Sequence, residues 1–170
     1  GFSVVDIIYL LEKAEQVSKE RGKEFIDKAD ITEAFLQTTT GRPSSREYSS
    51  HRNAIVAKHE CGHALTLQVM HDIAKKENKP WHLPDKINFI TLDPRGNYGG
   101  AMYPKDSENE EYSFEKVFSE MVCDFGGYSS EKRFYNMQGS WGITQDMSMA
   151  TEVARLAVEK MGMGAKTGRI

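Results

Sequence analysis

The sequence has 170 residues, of which 39% are hydrophobic and 28% charged, and its 22 basic and 25 acidic side chains leave a formal net charge of -3. This length allows one sizeable core, or one domain with a helical appendage, and excludes more than two domains. The near-neutral balance offers no basic surface for nucleic acid, so no nucleic-acid partner is expected. No apolar run reaches the roughly 18 residues that cross a bilayer, so we expect a soluble segment.

The first forty residues predict two helices. Ser3 can cap a helix whose apolar positions recur every 3.6 residues and which Gly22 ends. The second helix is predicted to begin at a cap on Asp30, with Glu33 completing a capping box, and to end before the threonines at 38–40. Together they predict a helical hairpin.

The polar stretch 41–51 contains a proline and has no periodicity, which predicts a linker between a helical segment at 1–40 and a domain at 52–170. The domain is expected to be mainly α with a small β element. Its predicted elements are a long helix from 52 to about 76, short strands at 87–92 and 98–103 around a DPRGN turn, a helix from a cap on Ser113 to about 135, and a last helix from about 144 to 161.

The sequence HECGH places two histidines four residues apart in the long predicted helix. His59 and His63 then project from the same face of the helix, close enough to ligate one zinc ion. Glu60 is placed to act as the general base on a water at the open position of the site. The pattern predicts peptide hydrolysis; the alternative is a coincidental pentad with two structural histidines.

Gly62 and Cys61 lie between the two candidate histidine ligands, and the sequence predicts a different environment for each. Gly62 costs about 1 kcal/mol relative to alanine inside a helix, so we expect another element to approach that face closely. Cys61 lies off the ligand face and is expected to be a small buried residue without a metal role. It forms no CxxC pair or disulfide framework with Cys123, which favours a reducing compartment such as the cytosol.

A catalytic zinc site needs a third protein ligand, and the pentad does not identify it. Thr66 and Val69 stand where the metzincin pattern has its glycine and third histidine, which excludes that subclass. Three candidate ligands remain on residue type and position: Glu120, with Asp124 one turn on as a possible orienting partner; Glu131; and Asp146 in the first turn of the last helix, where the helix dipole favours a carboxylate.

Several segments resemble the FtsH-type ATP-dependent zinc proteases. KHECGHAL is similar to that family's pentad, INFITLDPRGNYGGAMY to its strand, turn and second strand, DFGGYSSEKRFY to its GG-containing helix, and GITQDMSMATEVAR to the segment that supplies its aspartate ligand. GFSVVDIIYLLEKA and DITEAFLQTTTGRPSS resemble the end of the AAA ATPase lid and the stretch leading into the protease. The resemblance therefore covers nearly the whole chain.

The resemblance implies a zincin-like peptidase domain at 52–170, preceded by a helical AAA-lid remnant at 1–40. It assigns Asp146 as the third zinc ligand beside His59 and His63, leaves Glu131 as a nearby structural carboxylate, and sets Glu120 aside. The implied activity is zinc-dependent endopeptidase cleavage of unfolded polypeptides. A catalytically inactive module for assembly or substrate holding is the alternative.

The resemblance also implies a longer parent protein, since the chain opens on Gly1 and its ends read as those of a fragment. That parent is expected to carry an ATPase domain that uses ATP and to form a homo-oligomer, a hexamer. It is further expected to be anchored in a membrane with this domain in the cytoplasm or an equivalent compartment. Its substrates are expected to be unfolded or membrane proteins.

The sequence departs from the family pattern in places. Val4 and Val5 replace a small pair after GFS, which puts normal nucleotide sensing by the parent in doubt. The stretch 71–86 is longer than the usual connection, and Trp141 and Gln145 stand near the aspartate, so substrate access or specificity is expected to differ. The strand at 98–103 is either an ordinary hairpin strand or an edge onto which an extended substrate adds by backbone hydrogen bonds.

Overall fold

The computed structural model describes residues 2–78, 87–96, 98–105, 113–136 and 142–164. The predicted fold class, mainly helical with a small β element, is confirmed. The elements in chain order are helices α1 (Val4–Glu20), α2 (Lys28–Thr40) and α3 (Ser50–Lys76), strands β1 (Ile87–Thr91) and β2 (Ala101–Pro104), and helices α4 (Phe114–Tyr135) and α5 (Ile143–Glu159). Within these ranges no helix is both long enough and apolar enough to span a membrane.

The chain divides into two compact units. The first comprises Gly1–Glu47 together with Asp93–Gly100, and the second comprises Tyr48–Leu92 together with Ala101–Ile170. The predicted division into a lid remnant, a linker and a peptidase domain stays a prediction.

Helices α1 and α2 form the core of the first unit. Ala14 and Val17 of α1 pack with Ala34 of α2, and Leu10 lies against this cluster. Ser3 caps α1, as predicted, and its hydroxyl accepts from the backbone N–H of the third helical residue. The apolar cluster, rather than the cap, joins the two helices.

The predicted start of α2 is wrong by three residues. Its N-cap is Asp27, and Asp30 is the third helical residue, whose carboxylate accepts a hydrogen bond from the Asp27 backbone N–H. Both positions carry aspartate, so the sequence fits a capping box in either register. The register seen here buries the Asp30 carboxylate against two cations, Arg21 and Lys23.

The predicted end of α2 is also wrong, because the threonines at 38–40 are helical. Each hydroxyl donates to the carbonyl four residues earlier, at distances of 2.9 Å for Thr38, 2.9 Å for Thr39 and 2.6 Å for Thr40. A threonine inside a helix can satisfy its hydroxyl in this way instead of bonding a backbone group in a cap or turn. The helix ends at Gly41, whose φ of 91° suits glycine.

Helices α3 and α4 of the second unit touch backbone to backbone. A Cβ on Gly62 would lie 2.6 Å from Ser130 Cβ, and a Cβ on Gly126 would lie 2.7 Å from the Gly62 carbonyl oxygen. The Ser130 hydroxyl also donates to the Lys58 carbonyl at 2.6 Å. The close approach expected at Gly62 is therefore confirmed, and it fixes α4 directly beside the helix that carries the pentad.

Strands β1 and β2 form an antiparallel pair in which Ile90 lies opposite Met102. The second strand begins at Ala101, three residues later than predicted, because Tyr98 exchanges backbone hydrogen bonds with Arg95 in a tight turn. The remaining helix predictions hold to within about two residues. The expectation on the extra length at 71–86 stays a prediction, because residues 79–86 fall outside the described residues. Trp141 also falls outside them, and the expectation on Gln145, which is exposed in α5, stays a prediction.

Candidate metal centre

Helix α3 presents both histidines of the pentad to one point. The Nε2 atoms of His59 and His63 are 3.1 Å apart. A carboxylate oxygen from helix α5, Asp146 Oδ2, lies 3.0 Å from the first of these nitrogens and 3.4 Å from the second. Within the described part of the chain, these three residues form the one group of His, Cys, Asp or Glu side chains suited to hold a metal ion.

The position of Asp146 follows from how α5 packs. Ile143 and Ala150 are buried, so the helix turns that face inward and carries Asp146 towards α3. Asp146 also lies in the first turn, where unpaired backbone N–H groups and the helix dipole favour a negative charge. Asp146 therefore reaches the two imidazoles from a second helix.

The Nδ1 atoms of both imidazoles are engaged on the other side of the rings. His63 Nδ1 donates to the Cys123 carbonyl at 2.7 Å, and His59 Nδ1 lies 2.8 Å from Glu131 Oε1. A carbonyl oxygen only accepts, so the proton of neutral His63 belongs on Nδ1, and an ionised Glu131 selects the same tautomer for His59. Both Nε2 lone pairs then point towards Asp146.

Helix α4 also makes the space for the His59 ring. A Cβ on Gly127 would overlap the Cε1 and Nε2 atoms of His59. Glu131, one turn further along α4, is 1% exposed and reaches the same ring from the side. The helix that packs on α3 thus both seats the first histidine and orients it.

The electrostatics of the site favour a positive charge between the three groups. Burial lowers the pKa of His59, but its hydrogen bonds to Asp146 and Glu131 outweigh burial and raise that pKa above its ordinary value. Burial also lowers the pKa of His63. Its hydrogen bonds to Asp146 and to the Cys123 carbonyl outweigh burial, so that pKa is raised as well. Burial raises the pKa of Asp146, yet the two imidazoles hold it below its usual value.

The donor set fits zinc. Two imidazole nitrogens and one carboxylate oxygen are ligand types that catalytic zinc sites use, with a fourth position left open. Neutral imidazoles in the tautomer described above leave Asp146 Oδ2, a buried atom, without a hydrogen-bond donor among the described residues. Three converging acceptors repel one another unless a cation lies between them.

Glu60 is buried beside this centre without belonging to it. Its side chain leaves α3 next to His59 and is met by the backbone N–H of Met102 in strand β2. Burial raises the pKa of Glu60, and the two imidazoles and Met102 oppose that rise only in part. A carboxylate with a raised pKa is a better proton acceptor than an exposed one.

Other residues considered from the sequence are not members of the metal-suited group. Glu120 is outside the metal-suited group, and burial raises its pKa. Burial and the charge of Asp146 raise the pKa of Asp124 to about 6. Burial raises the pKa of Cys123 to about 12, so its thiol stays protonated. The expectation that Cys61 is buried is wrong: it is exposed, because it points away from the face that packs on α4.

Sequence reasoning missed three contributors to the site: the Cys123 carbonyl, the Met102 N–H and the space at Gly127. The first two are backbone groups, which carry no residue-type signal. The paired glycines at 126 and 127, inside a predicted helix, are the one signal that would have pointed to the third.

A helix that carries His-Glu-x-x-His on its buried face, with a carboxylate from another helix beside both histidines, has the ligand arrangement of the metal centres in zinc peptidases. The family model described as Peptidase family M41 matches residues 46–170. The chain belongs to this family, and its resemblance to FtsH-type proteases is confirmed.

Curated relatives are similar over nearly the whole chain. An ATP-dependent zinc metalloprotease FtsH from Streptococcus pneumoniae serotype 4 is 30% identical across 100% of the chain and 24% of the relative. Proteins of the same name from Acholeplasma laidlawii and Caldicellulosiruptor bescii are 31% and 29% identical, across 96% and 99% of the chain and 24% and 26% of their own length. The chain spans about a quarter of the length of these relatives.

Proposed function

We propose that this chain is a zinc-dependent endopeptidase that hydrolyses unfolded polypeptides. His59, His63 and Asp146 hold the metal, and Glu60 is the general base. The observation that carries the proposal is the convergence of two imidazole nitrogens and one carboxylate oxygen within 3.0 to 3.4 Å, a set of acceptors that needs a cation. The zinc metalloprotease names of the relatives support the choice of metal.

The residues around the centre divide the chemistry between them. A zinc ion held here supplies Lewis acidity, which polarises a peptide carbonyl and lowers the pKa of water to about 7. Glu60 takes the proton from the attacking water and returns it to the departing amine. Glu131 and the Cys123 carbonyl keep both imidazoles in the tautomer that leaves Nε2 free to bind metal. No side chain becomes covalently attached to the substrate.

Strand β2 is the surface that we propose to bind the substrate. Its pairing with β1 occupies one edge, and the two strands make a sheet of two among the described residues. The Met102 N–H already reaches the Glu60 carboxylate, so the strand passes next to the catalytic base. An extended peptide added to this edge is held through its backbone, which suits broad sequence specificity.

The words ATP-dependent in the relatives' name support an ATPase in the parent protein, and the sequence resemblance motivates a wider proposal. We propose that an ATPase domain using ATP precedes this chain, that residues 1–40 are the end of its lid, and that residues 41–51 link it to a peptidase domain at 52–170. The parent would act as a homo-oligomer, a hexamer, anchored in a membrane with this domain in the cytoplasm or an equivalent compartment. Its substrates would be unfolded or membrane proteins.

The test is Glu60→Gln, with Glu152→Gln as a matched control on an exposed position of α5. Zinc per chain and hydrolysis of a fluorescently labelled unfolded polypeptide are measured for both variants. Glu60→Gln is expected to keep about one zinc and to lose about 10²- to 10⁴-fold in rate, because only the base is removed. Glu152→Gln should match the wild type.

Two results would contradict the proposal. Full activity in Glu60→Gln would remove Glu60 from the mechanism. A wild-type chain that binds zinc without any hydrolysis would favour the alternative, an inactive module for assembly or substrate holding.

A further inference from the structure

The connection between strands β1 and β2 belongs to the first unit, although both strands belong to the second. Two backbone hydrogen bonds hold it to the stretch that follows α2: Ser44 N–H donates to the Pro94 carbonyl at 2.8 Å, and Gly96 N–H donates to the Arg42 carbonyl at 3.1 Å. A Cβ on Gly96 would lie 3.0 Å from the Thr40 carbonyl oxygen, so the two backbones are in direct contact. The connection is thus docked at a defined place.

A buried ion pair completes this docking. Arg95 Nη1 donates to Glu33 Oε1 at 2.9 Å and Nη2 to Oε2 at 2.7 Å, a two-pronged contact between the connection and helix α2. The side chains are 5% and 13% exposed. Gln37 donates to the same carboxylate at 3.0 Å. The planar guanidinium matches a carboxylate in a way that lysine does not.

Glu33 binds both terminal nitrogens of Arg95, and the charge of Asp93 adds to the stabilisation of the cation. Arg95 Nε is buried and makes no hydrogen bond to the described residues. Removing one member of a buried pair leaves the other charged and unsolvated, which disfavours the docked arrangement. An ordinary surface turn needs no such anchor, since exposed ion pairs contribute little.

We propose that Arg95 and Glu33 are positioning residues for substrate binding, which fix the β1–β2 connection on α2 and thereby restrain the start of strand β2, to which the connection is joined through the backbone. Strand β2 begins at Ala101, directly after the connection, and Met102 is the residue whose backbone N–H reaches the Glu60 carboxylate. Loosening the connection therefore frees the start of the strand that binds an extended peptide. The kinetic part of this inference rests on the proposed function, whereas the anchoring of the strand does not.

The first measurement is amide hydrogen exchange in the 170-residue chain, followed over residues 101–104. Arg95→Met and Glu33→Met are each expected to speed exchange there by roughly tenfold or more, with exchange in α3 unchanged. The double variant should be no faster than either single variant, because the two side chains act as one pair. Arg42→Met is the matched control, since the ion pair that its side chain makes with Glu20, at 3.5 Å, is exposed.

The second measurement is zinc-dependent hydrolysis of an extended peptide. Arg95→Met is expected to raise KM about tenfold with kcat and zinc content unchanged, the pattern of weakened uniform binding. If Arg95→Met unfolds the chain, Arg95→Lys decides, because it keeps the charge and loses the two-pronged contact. Arg95→Lys should then show the same two changes at smaller size.

The outcomes separate this inference from the proposed function. Exchange and KM that match those of Arg42→Met would overturn the positioning role. If Arg95→Met speeds exchange at 101–104 but the wild-type chain never hydrolyses peptide, the anchoring of the strand stands and the proposed peptidase function is overturned. A fall in kcat with KM unchanged would also overturn the positioning role, since substrate binding would then be unaffected.

Discussion

Each unit of the molecule holds a carboxylate with a buried oxygen atom, and the surroundings of these two carboxylates are opposite. Asp30 of the first unit is fully buried and accepts from Arg21 at 2.7 Å, from Lys23 at 3.1 and 3.2 Å and from the Asp27 backbone at 3.1 Å. Asp146 of the second unit faces two imidazole nitrogens that carry lone pairs in their neutral form. The first carboxylate is surrounded by donors and the second by acceptors.

The difference separates a carboxylate that stabilises the fold from one that needs a ligand. The donors around Asp30 balance its charge, so the cluster is complete within the chain. The acceptors around Asp146 are complete only with a cation, supplied by protons on the histidines or by a metal ion. A buried acidic residue is therefore informative about function only when its neighbours are known.

The largest effect is expected from Asp146→Ala. Removing a direct ligand should weaken zinc binding by more than about 100-fold, the upper end for losing a group that merely orients a ligand, and hydrolysis should fall to background. The matched change Glu152→Ala on the same helix should alter neither. Zinc per chain after gel filtration, together with the rate, provides the check. Retention of tightly bound zinc would exclude Asp146 as a ligand.

The metal-free form of the same variant sharpens the comparison. At a pH well above the raised pKa values of both imidazoles, Asp146→Ala removes an acceptor that lacks a donor, so the melting temperature should not fall. A clear fall would mean that Asp146 is satisfied as Asp30 is, by groups of the chain itself.

An intermediate effect is expected from Glu131→Gln. The amide oxygen still accepts from His59 Nδ1, but the negative charge that strengthens the imidazole as a ligand is lost. Zinc affinity should fall by about 10- to 100-fold, measured by competition with a chelator, while zinc still binds at saturation. Glu115→Gln, on an exposed position of the same helix, is the control. A loss as complete as that in Asp146→Ala would make Glu131 a ligand itself.

Asp30→Asn is expected to have the smallest effect on the site, because it changes the stability of the fold and leaves zinc binding unchanged. Burial raises the pKa of Asp30, but its hydrogen bonds to Asp27, Lys23 and Arg21 lower it overall from 3.8 to about 2. A lowered folded-state pKa stabilises the fold above 3.8, and this contribution is lost as the pH falls through about 2. The stability difference between wild type and Asp30→Asn should therefore shrink over that window.

Melting temperatures at a series of pH values provide the check, with Asp72→Asn, an exposed aspartate on α3, as the control. Zinc content should be unchanged in both variants. A pH-independent difference would mean that Asp30 contributes through packing rather than through its charge.

The first unit illustrates where local patterns mislead. The sequence around 27–30 satisfies a capping box starting at either aspartate, and only the burial of Asp30 against Arg21 and Lys23 decides between them. The threonines at 38–40 read as a helix end, yet their hydroxyls are satisfied within the helix. In both cases hydrogen bonds or ion pairs of the side chains selected one of two conformations that the sequence pattern allows.

By itself the sequence determined most helix positions and the part of the site that lies on the long helix. Apolar periodicity placed the long helix, and a spacing of four residues put His59 and His63 on one face with Glu60 beside them, because helix geometry is local. Gly62 indicated a close helix contact, because glycine destabilises a helix interior relative to alanine and this effect depends only on the local sequence. The family resemblance, rather than spacing, singled out Asp146 from three carboxylates.

The tertiary structure alone decided which groups meet. Helix α4 packs on α3 through Gly62 and Gly126, which brings Glu131 and the Cys123 carbonyl to the imidazoles, while the buried face of α5 delivers Asp146 to their other side. These distances depend on packing between helices far apart in the chain. A glycine such as Gly62 indicates that some element packs closely, but the residue pattern of a single helix does not identify that element.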